Sequence, residues 1–351
     1  AMVDAIAPRP GESVCDPACG PGGFLFTAHN YVTRHNPNLT RDEKRRLKDG
    51  AFHGWELVQG TARVCAMNLM LHGIGSEKSV PVKVADALAA DPGVRFDVVL
   101  ANPPFGKKSS TMIVGEDGKT STEKDTIERD DFWATTSNKQ LNFVQHIKTL
   151  LKTHGRAAVV LPDNVLFEGG AGETIRKKLL HECDVHTLLR LPTGLFYAQG
   201  VKANVIFFDK KPASETPWTK ELWIYDLRTN KHFTLKTNPL KREDLDEFVQ
   251  LYNPANRHTR KATWFDEKAP HPDPLPSDGE RGASGRWRAY DYAELIARDK
   301  ASLDIFWLKD DSLADSDNLP PPEVIAQEIV DDLEAALEQF REIAGDLGSN
   351  G

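Results

Sequence analysis

Cysteine is scarce in this chain, with four in 351 residues, at positions 15, 19, 65 and 183, and no C-x-x-C pair among them. That scarcity excludes a disulfide framework. Cys15 and Cys19 lack the further ligands a zinc site needs, so free thiols in a reducing compartment are expected and no metal is. No run of 18 or more apolar residues occurs, which excludes an ordinary membrane-spanning helix. The opening AMVDAIAPRPGESV has neither the basic flank nor the long apolar stretch of a signal peptide, so a cytoplasmic location is expected. An excess of basic residues is missing too: 44 Lys and Arg face 52 Asp and Glu, a net charge of −8. Tight autonomous binding of nucleic acid normally shows a basic face; if this chain acts on DNA, another chain is expected to supply much of the grip. The local basic clusters RDEKRRLK (41–48), Lys107-Lys108 and IRKKLL (175–180) read as solvated helix faces. The G-x-G-x-x-G spacing of dinucleotide folds is also absent, since Gly20 and Gly22 fit but position 25 is Leu.

What is present is an alternation of strand-like and helix-like segments over 13–210. SVCD (13–16), GAFHGWEL (50–57), VPVKVADAL (80–88), FDVVLAN (96–102) and RAAVVLPDN (156–164) read as strands. Helical periodicity marks 23–35, 60–75, 142–155 and 172–183. VHTLLRLPT (185–193) and KANVIFFDKK (202–211) read as strands around a turn, forming an antiparallel edge. This rhythm predicts an α/β fold: a doubly wound, mostly parallel sheet, Rossmann-like, with helices on both faces. The expected domains are a catalytic domain over 1–211 and an α+β extension over 212–268, the latter with a strand at 221–230 and a helix at 241–252. A Pro/Gly/Ser-rich linker follows over 269–285, then a C-terminal segment over 286–351. That segment carries one long helix, 320–348, with Ile325, Ile329, Leu333, Leu337 and Phe340 on one face.

Ligands in such folds sit beyond the carboxyl ends of the strands, and the informative residues fall at those ends. DPACGPGGFL (16–25) leaves the first strand as a Gly-rich turn, and Gly20, Gly22 and Gly23 allow close approach of backbone to ligand. Asp16, ahead of Pro17, Ala18, Cys19 and Phe24, would repel a diphosphate but hold a cationic amine. S-adenosyl-L-methionine carries such an amine and a sulfonium. Glu56 ends the second strand, where a carboxylate accepts from both ribose hydroxyls. Asp86 ends the third, placed to accept from an adenine amino group. Each of the three alone is also an ordinary helix-capping residue; the ordered set points to a ligand.

The fourth strand ends in Asn102-Pro103-Pro104-Phe105. Two prolines fix the backbone and leave carbonyls with no competing N–H nearby. The Asn102 side-chain oxygen and the Pro103 carbonyl then both accept from one exocyclic NH2. An aromatic amine is a poor nucleophile because its lone pair is delocalised; two acceptors on its hydrogens draw nitrogen toward tetrahedral geometry and free that pair. Phe105 offers a flat face to a base taken out of the helix. Positioning and polarisation suffice without a dedicated base. Asn164, Phe196 and Tyr197 are weaker candidates, and His53, His72 and His146 read as structural.

With these residues in view, the chain resembles the modification (M) subunit of type I restriction–modification systems, a family of N6-adenine DNA methyltransferases. The matching stretches are DPACGPGGFL, AMNLMLHGI (66–74), NPPFG (102–106), VVLPDNVLF (159–167), LPTGLFYAQGVKANVIFF (191–208) and RDKASLDIFWLKDDS (298–312). The resemblance implies methyl transfer from S-adenosyl-L-methionine to the exocyclic amine of a flipped adenine. The glycine loop, Glu56 and Asp86 would hold the cofactor and Asn102 to Phe105 the base. It implies double-stranded DNA, a specificity (S) subunit, a restriction (R) subunit and a second M subunit as partners, with no membrane, and 320–348 as a surface for docking the specificity subunit. Family members carry a helical domain before the glycine loop, ending in a Thr-Pro-Arg cofactor-binding segment; here only residues 1–15 precede Asp16, so the chain is expected to be a truncated form. The alternatives are an amine methyltransferase acting on RNA or on protein glutamine, a cofactor-binding scaffold inactive without that domain, and, most distantly, a nicotinamide oxidoreductase.

Overall fold

Five of the six residues of FDVVLA (96–101) are apolar, and all but Asp97 are buried, as a strand covered on both faces requires. Val98 and Leu100 pack into one hydrophobic cluster and Val99 and Ala101 into the other, so the two-residue period of the strand divides the core into two layers. The computed structural model describes residues 1–308 except 77–78, 106–109, 115–119, 125, 194, 196–201, 230, 232, 235–237 and 265–284. Gly106, Lys107, Lys108, Phe196, Tyr197, nearly all of the 269–285 linker and the 320–348 helix lie outside the described residues.

In chain order the elements are α1 (Met2–Ile6), β1 (Val14–Asp16), α2 (Gly23–His35), α3 (Arg41–Asp49), β2 (Phe52–Glu56), α4 (Gln59–Leu71), β3 (Val82–Val84) and β4 (Phe96–Ala101). A two-stranded antiparallel ribbon, β5 (Ser110–Val114) and β6 (Thr120–Lys124), follows. Then come α5 (Lys139–Leu150), β7 (Leu151–Pro162), α6 (Asn164–Phe167), α7 (Ala171–Glu182), β8 (Cys183–Arg190), β9 (Ala203–Lys210), β10 (Glu221–Asp226), α8 (Asp246–Tyr252), β11 (Trp287–Asp291) and α9 (Tyr292–Ala297). One nine-stranded sheet runs β11-β10-β8-β9-β7-β4-β1-β2-β3. The pairs β1–β2, β1–β4, β2–β3, β4–β7 and β8–β10 are parallel; β9 runs antiparallel to both its neighbours, and β11 to β10.

Three expectations need correction. The strand over 203–210 is antiparallel but not an edge: it inserts between β7 and β8, and seven of its eight residues are buried. The unbroken apolar run VIFF (205–208) carries that information, because an edge strand normally shows a polar face. The sheet also continues past residue 211, through β10 and β11. The cluster at 175–180 is only partly a solvated face. Arg176 is buried and donates to the carbonyls of Val165, Glu168, Lys300 and Ala301 at 2.7–3.2 Å, whereas Lys177 pairs with Glu173 at the surface. The cluster at 41–48 lies on exposed α3, opened by a Thr40–Glu43 capping box.

Adjacent parallel strands β1 and β4 set the functional end of the molecule. Val14 pairs with Val98 and Cys15 with Val99, so Asp16 and Asn102 emerge side by side. From β1 the strand order runs to β2 and β3 on one side, and from β4 to β7 on the other. The connections therefore diverge and leave a crevice above these two ends.

Candidate active site

Asp16, Ala18, Cys19, Gly20, Gly23, Phe24 and Asn102 line one cavity of about 720 Å³. The strand end and the glycine turn thus meet Asn102 there, whereas Pro103, Pro104 and Phe105, the rest of the Asn-Pro-Pro-Phe corner, do not line this cavity. Asp16 is 2% exposed, and its Oδ1 accepts the Ala18 N–H at 3.0 Å. Burial pushes its carboxyl up to about 7; the Ala18 N–H opposes that rise and the charge of Glu56 adds to it. Among the described residues no Lys or Arg pairs with Asp16, so the cavity holds a buried acid that a cationic ligand would satisfy.

The turn after it is shaped by glycine where glycine is required. Gly22 has φ +90°, and a Cβ there would stand 2.8 Å from Cys65 Sγ. Gly20 has φ +51° with open space where a side chain would project, and its N–H donates to Glu56 Oε2 at 3.1 Å. Glu56 Oε1 accepts from the Val58 N–H at 2.8 Å. One carboxylate therefore ties the glycine turn to the end of β2 while keeping further lone pairs for a ligand. Asp86 lies two residues beyond β3, which is registered to β2 through Glu56–Val84; its Oδ1 accepts from the Leu88 N–H at 2.9 Å. Glu56, Asp86, Pro17 and Gly22 frame the turn but do not line the cavity that Asp16 and Asn102 share. Cys65 Sγ donates to Cys19 Sγ at 3.8 Å, and that bond with burial keeps the Cys19 thiol protonated. All four cysteines are free and buried.

At the corner, Asn102 is exposed to the cavity, Pro103 is buried, Pro104 is exposed and Phe105 is half-buried, packed against the core. No hydrogen bond among the described residues occupies the Asn102 side chain. The expectation that the proline carbonyls stand clear of N–H donors fails at Pro104, whose carbonyl accepts from Gln140 Nε2 at 3.0 Å. The tertiary fold packs the start of α5 onto the corner, a contact no local pattern encodes. Arg34, Thr27, Asp4 and Arg242 also line the cavity and were not foreseen. Arg242 reaches it from 238 residues beyond Asp4, to which it is bonded at 2.8 Å, so spacing carries no signal for it. Asn164 bonds Glu168 at 3.3 Å. His146 is buried and pushed down to about 3 by burial and by Arg129. His72 bonds the Asn68 carbonyl and His53 that of Gly50. Among the described residues no cluster of metal-ligating side chains occurs, and no helix is long and apolar enough to cross a membrane.

Comparison with known proteins adds an independent line. The sequence profile of the N-6 DNA Methylase family matches residues 1–268. The chain is 38% identical over 367 aligned positions to the type I restriction enzyme EcoKI methylase subunit of Escherichia coli K12; the match takes in 99% of this chain and 66% of that relative. Among solved structures, it superposes on the crystal structure of the EcoKI M protein with a TM-score of 0.72 and 36% identity, over 99% of this chain and 71% of that one. A structure described as the basis of complex assembly and conformational transition of the type I R-M system matches with a TM-score of 0.66 and 26% identity, over 99% and 65%. The chain therefore spans just under two thirds of the length of the curated relative, and its fold is the mixed, mostly parallel α/β sheet expected from the sequence.

Proposed function

Because the chain belongs to the N-6 DNA methylase family, we propose that it forms the catalytic part of an adenine-specific DNA methyltransferase subunit of a type I restriction–modification system, using S-adenosyl-L-methionine. The observation that carries this reading is the opening of Asn102 onto the same cavity as Asp16 and the glycine turn. The donor set fits the cofactor: a buried, cation-free carboxylate at Asp16, open space above Gly20 and Gly23, and acidic groups at the ends of the next two strands. Asp16 would hold the amino group, Glu56 the ribose hydroxyls and Asp86 the adenine amine. When bound, the cofactor supplies a methyl group made electrophilic by its sulfonium. The chain's own residues act on the nucleophile. Asn102 Oδ1 and the Pro103 carbonyl accept the two hydrogens of the target amine, localise its lone pair and hold it in line, while Phe105 flanks the extruded base. The proton shed by the methylated nitrogen leaves to solvent.

Charge distribution does not oppose DNA as substrate. Residues 309–351 hold twelve Asp and Glu against two Lys and Arg, a net −10, which leaves residues 1–308 at +2. The overall acidity belongs to the terminal segment. Specificity, restriction and second modification subunits are the proposed partners, in keeping with the relatives' assembly in type I systems.

The test is transfer of labelled methyl groups by the full-length subunit, with its specificity partner, to a duplex carrying the recognition site. The product expected is N6-methyladenine, with none when the target adenine is replaced by purine, which lacks the amine. Tight cofactor binding with no transfer to any adenine-containing duplex would instead establish a scaffold. Glu56→Ala is expected to weaken cofactor binding by roughly 1–3 kcal/mol, the scale of a lost charge-assisted hydrogen bond, with part of the loss from release of the Gly20 N–H. Calorimetry measures it, and an unchanged Kd removes Glu56 from the site.

A further inference from the structure

We propose that Gln140 is a positioning residue that fixes the Asn-Pro-Pro-Phe corner for base binding; this rests on the function proposed above. Prolines 103 and 104 have no N–H to give, so hydrogen bonds can anchor these two residues only through their carbonyls. Gln140 supplies the donor. It is the second residue of α5, 4% exposed, and its Nε2 lies 3.0 Å from the Pro104 carbonyl oxygen. That bond fixes the peptide joining Pro104 to Phe105, and with it the setting of the aromatic ring and of the Pro103 carbonyl one peptide earlier.

Gln140 is itself held from behind. Asn138 Oδ1 caps α5, accepting from the N–H groups of Gln140 at 3.0 Å and Leu141 at 3.3 Å. Asn138 Nδ2 donates to Glu168 Oε2 at 2.7 Å, and Asn164 Nδ2 donates to the same oxygen at 3.3 Å. The Glu168 carbonyl is bound at 2.7 Å by Arg176, whose guanidinium also clamps Val165, Lys300 and Ala301. The corner is therefore pinned on one side by β4 and on the other by a continuous polar chain from α5 through α6 to α7. Such support is what holds a reactive constellation to the sub-ångström tolerance its chemistry demands. Asn102 polarises the amine; Gln140 keeps Pro103 and Phe105 where that polarisation is productive.

The experiment compares Gln140→Met, which keeps length and loses the donor, with Asn102→Ala in the full-length, assembled subunit. It uses a duplex with 2-aminopurine at the target position for fluorescence and with adenine for turnover. Gln140→Met is expected to lower kcat by about tenfold or more and to reduce the fluorescence of the extruded base, with cofactor Kd and Tm as in the parent. Gln140→Asn, whose amide stops one methylene short, serves where Gln140→Met fails to fold, and the same losses are expected. A cofactor-binding variant of either kind with parental kcat and base extrusion overturns the proposal. Absence of methyl transfer by the parent subunit itself, with cofactor bound, instead overturns the functional reading, so the two failures are distinct.

Discussion

Asn102→Ala is expected to cut methyl transfer by roughly 10³-fold, the scale of removing one preorganised polar contact from a transition state, while cofactor affinity stays within about twofold. The side chain stands in the shared cavity, unengaged among the described residues, and the backbone behind it is fixed by the buried β4 strand and by Pro103. Truncation therefore removes an acceptor without disturbing a fold contact. What remains is the Pro103 carbonyl, which binds one hydrogen of the amine and leaves the nitrogen close to planar. Asn102→Asp keeps an acceptor oxygen and should recover part of the rate. Single-turnover kinetics with labelled cofactor, beside calorimetry, separates chemistry from binding. Full turnover in Asn102→Ala would show that polarisation of the amine comes from elsewhere.

The second large effect concerns Asp16 and pH. Its folded-state acidity is shifted up to about 7 by burial, above the ordinary carboxylate range. A carboxyl raised on folding contributes stability that is complete below its unfolded value near 4 and is lost as pH climbs through 7. The ligand-free chain should therefore lose up to about 4 kcal/mol from this group across that window. Asp16→Asn should abolish that slope and leave the ligand-free protein more stable at pH 8. Cofactor binding runs the other way. A bound ammonium favours the ionised carboxylate, so affinity should rise with pH by close to tenfold per unit between about 5 and 7, with protons released on binding. Asp16→Asn should flatten the profile and weaken binding at pH 8. Calorimetry in buffers of different ionisation enthalpy counts the protons. A flat profile in the parent protein would show that Asp16 does not meet the ligand's cation.

The Gln140 contact shows where local reading stops. Asn138 is recognisable from its place before a helical run as a capping residue, and Gln140 is two positions on. Nothing in that spacing says that the side chain meets Pro104, 36 residues earlier. Arg242 is the same case at larger separation. The acidic residues at three strand ends were legible because strand ends are marked by composition. Their different tasks were less so, because the bond from the Gly20 N–H to Glu56 depends on how β1 and β2 align.

The position of β9 is instructive in the same way. Its burial could be read from an unbroken apolar run, but its neighbours could not, since periodicity reports how many faces of a strand are covered and is silent on which strands pair with it. Residue pattern alone determined the alternating α/β architecture, the glycine turn, the acidic series and the rigid Asn-Pro-Pro-Phe corner, because each arises from local backbone preference and side-chain chemistry. Only the folded chain decided that β1 and β4 are neighbours, that Asp16 and Asn102 share a cavity, and that α5 braces the corner, because strand pairing and helix docking are settled by the collective burial of apolar surface between segments far apart in the chain.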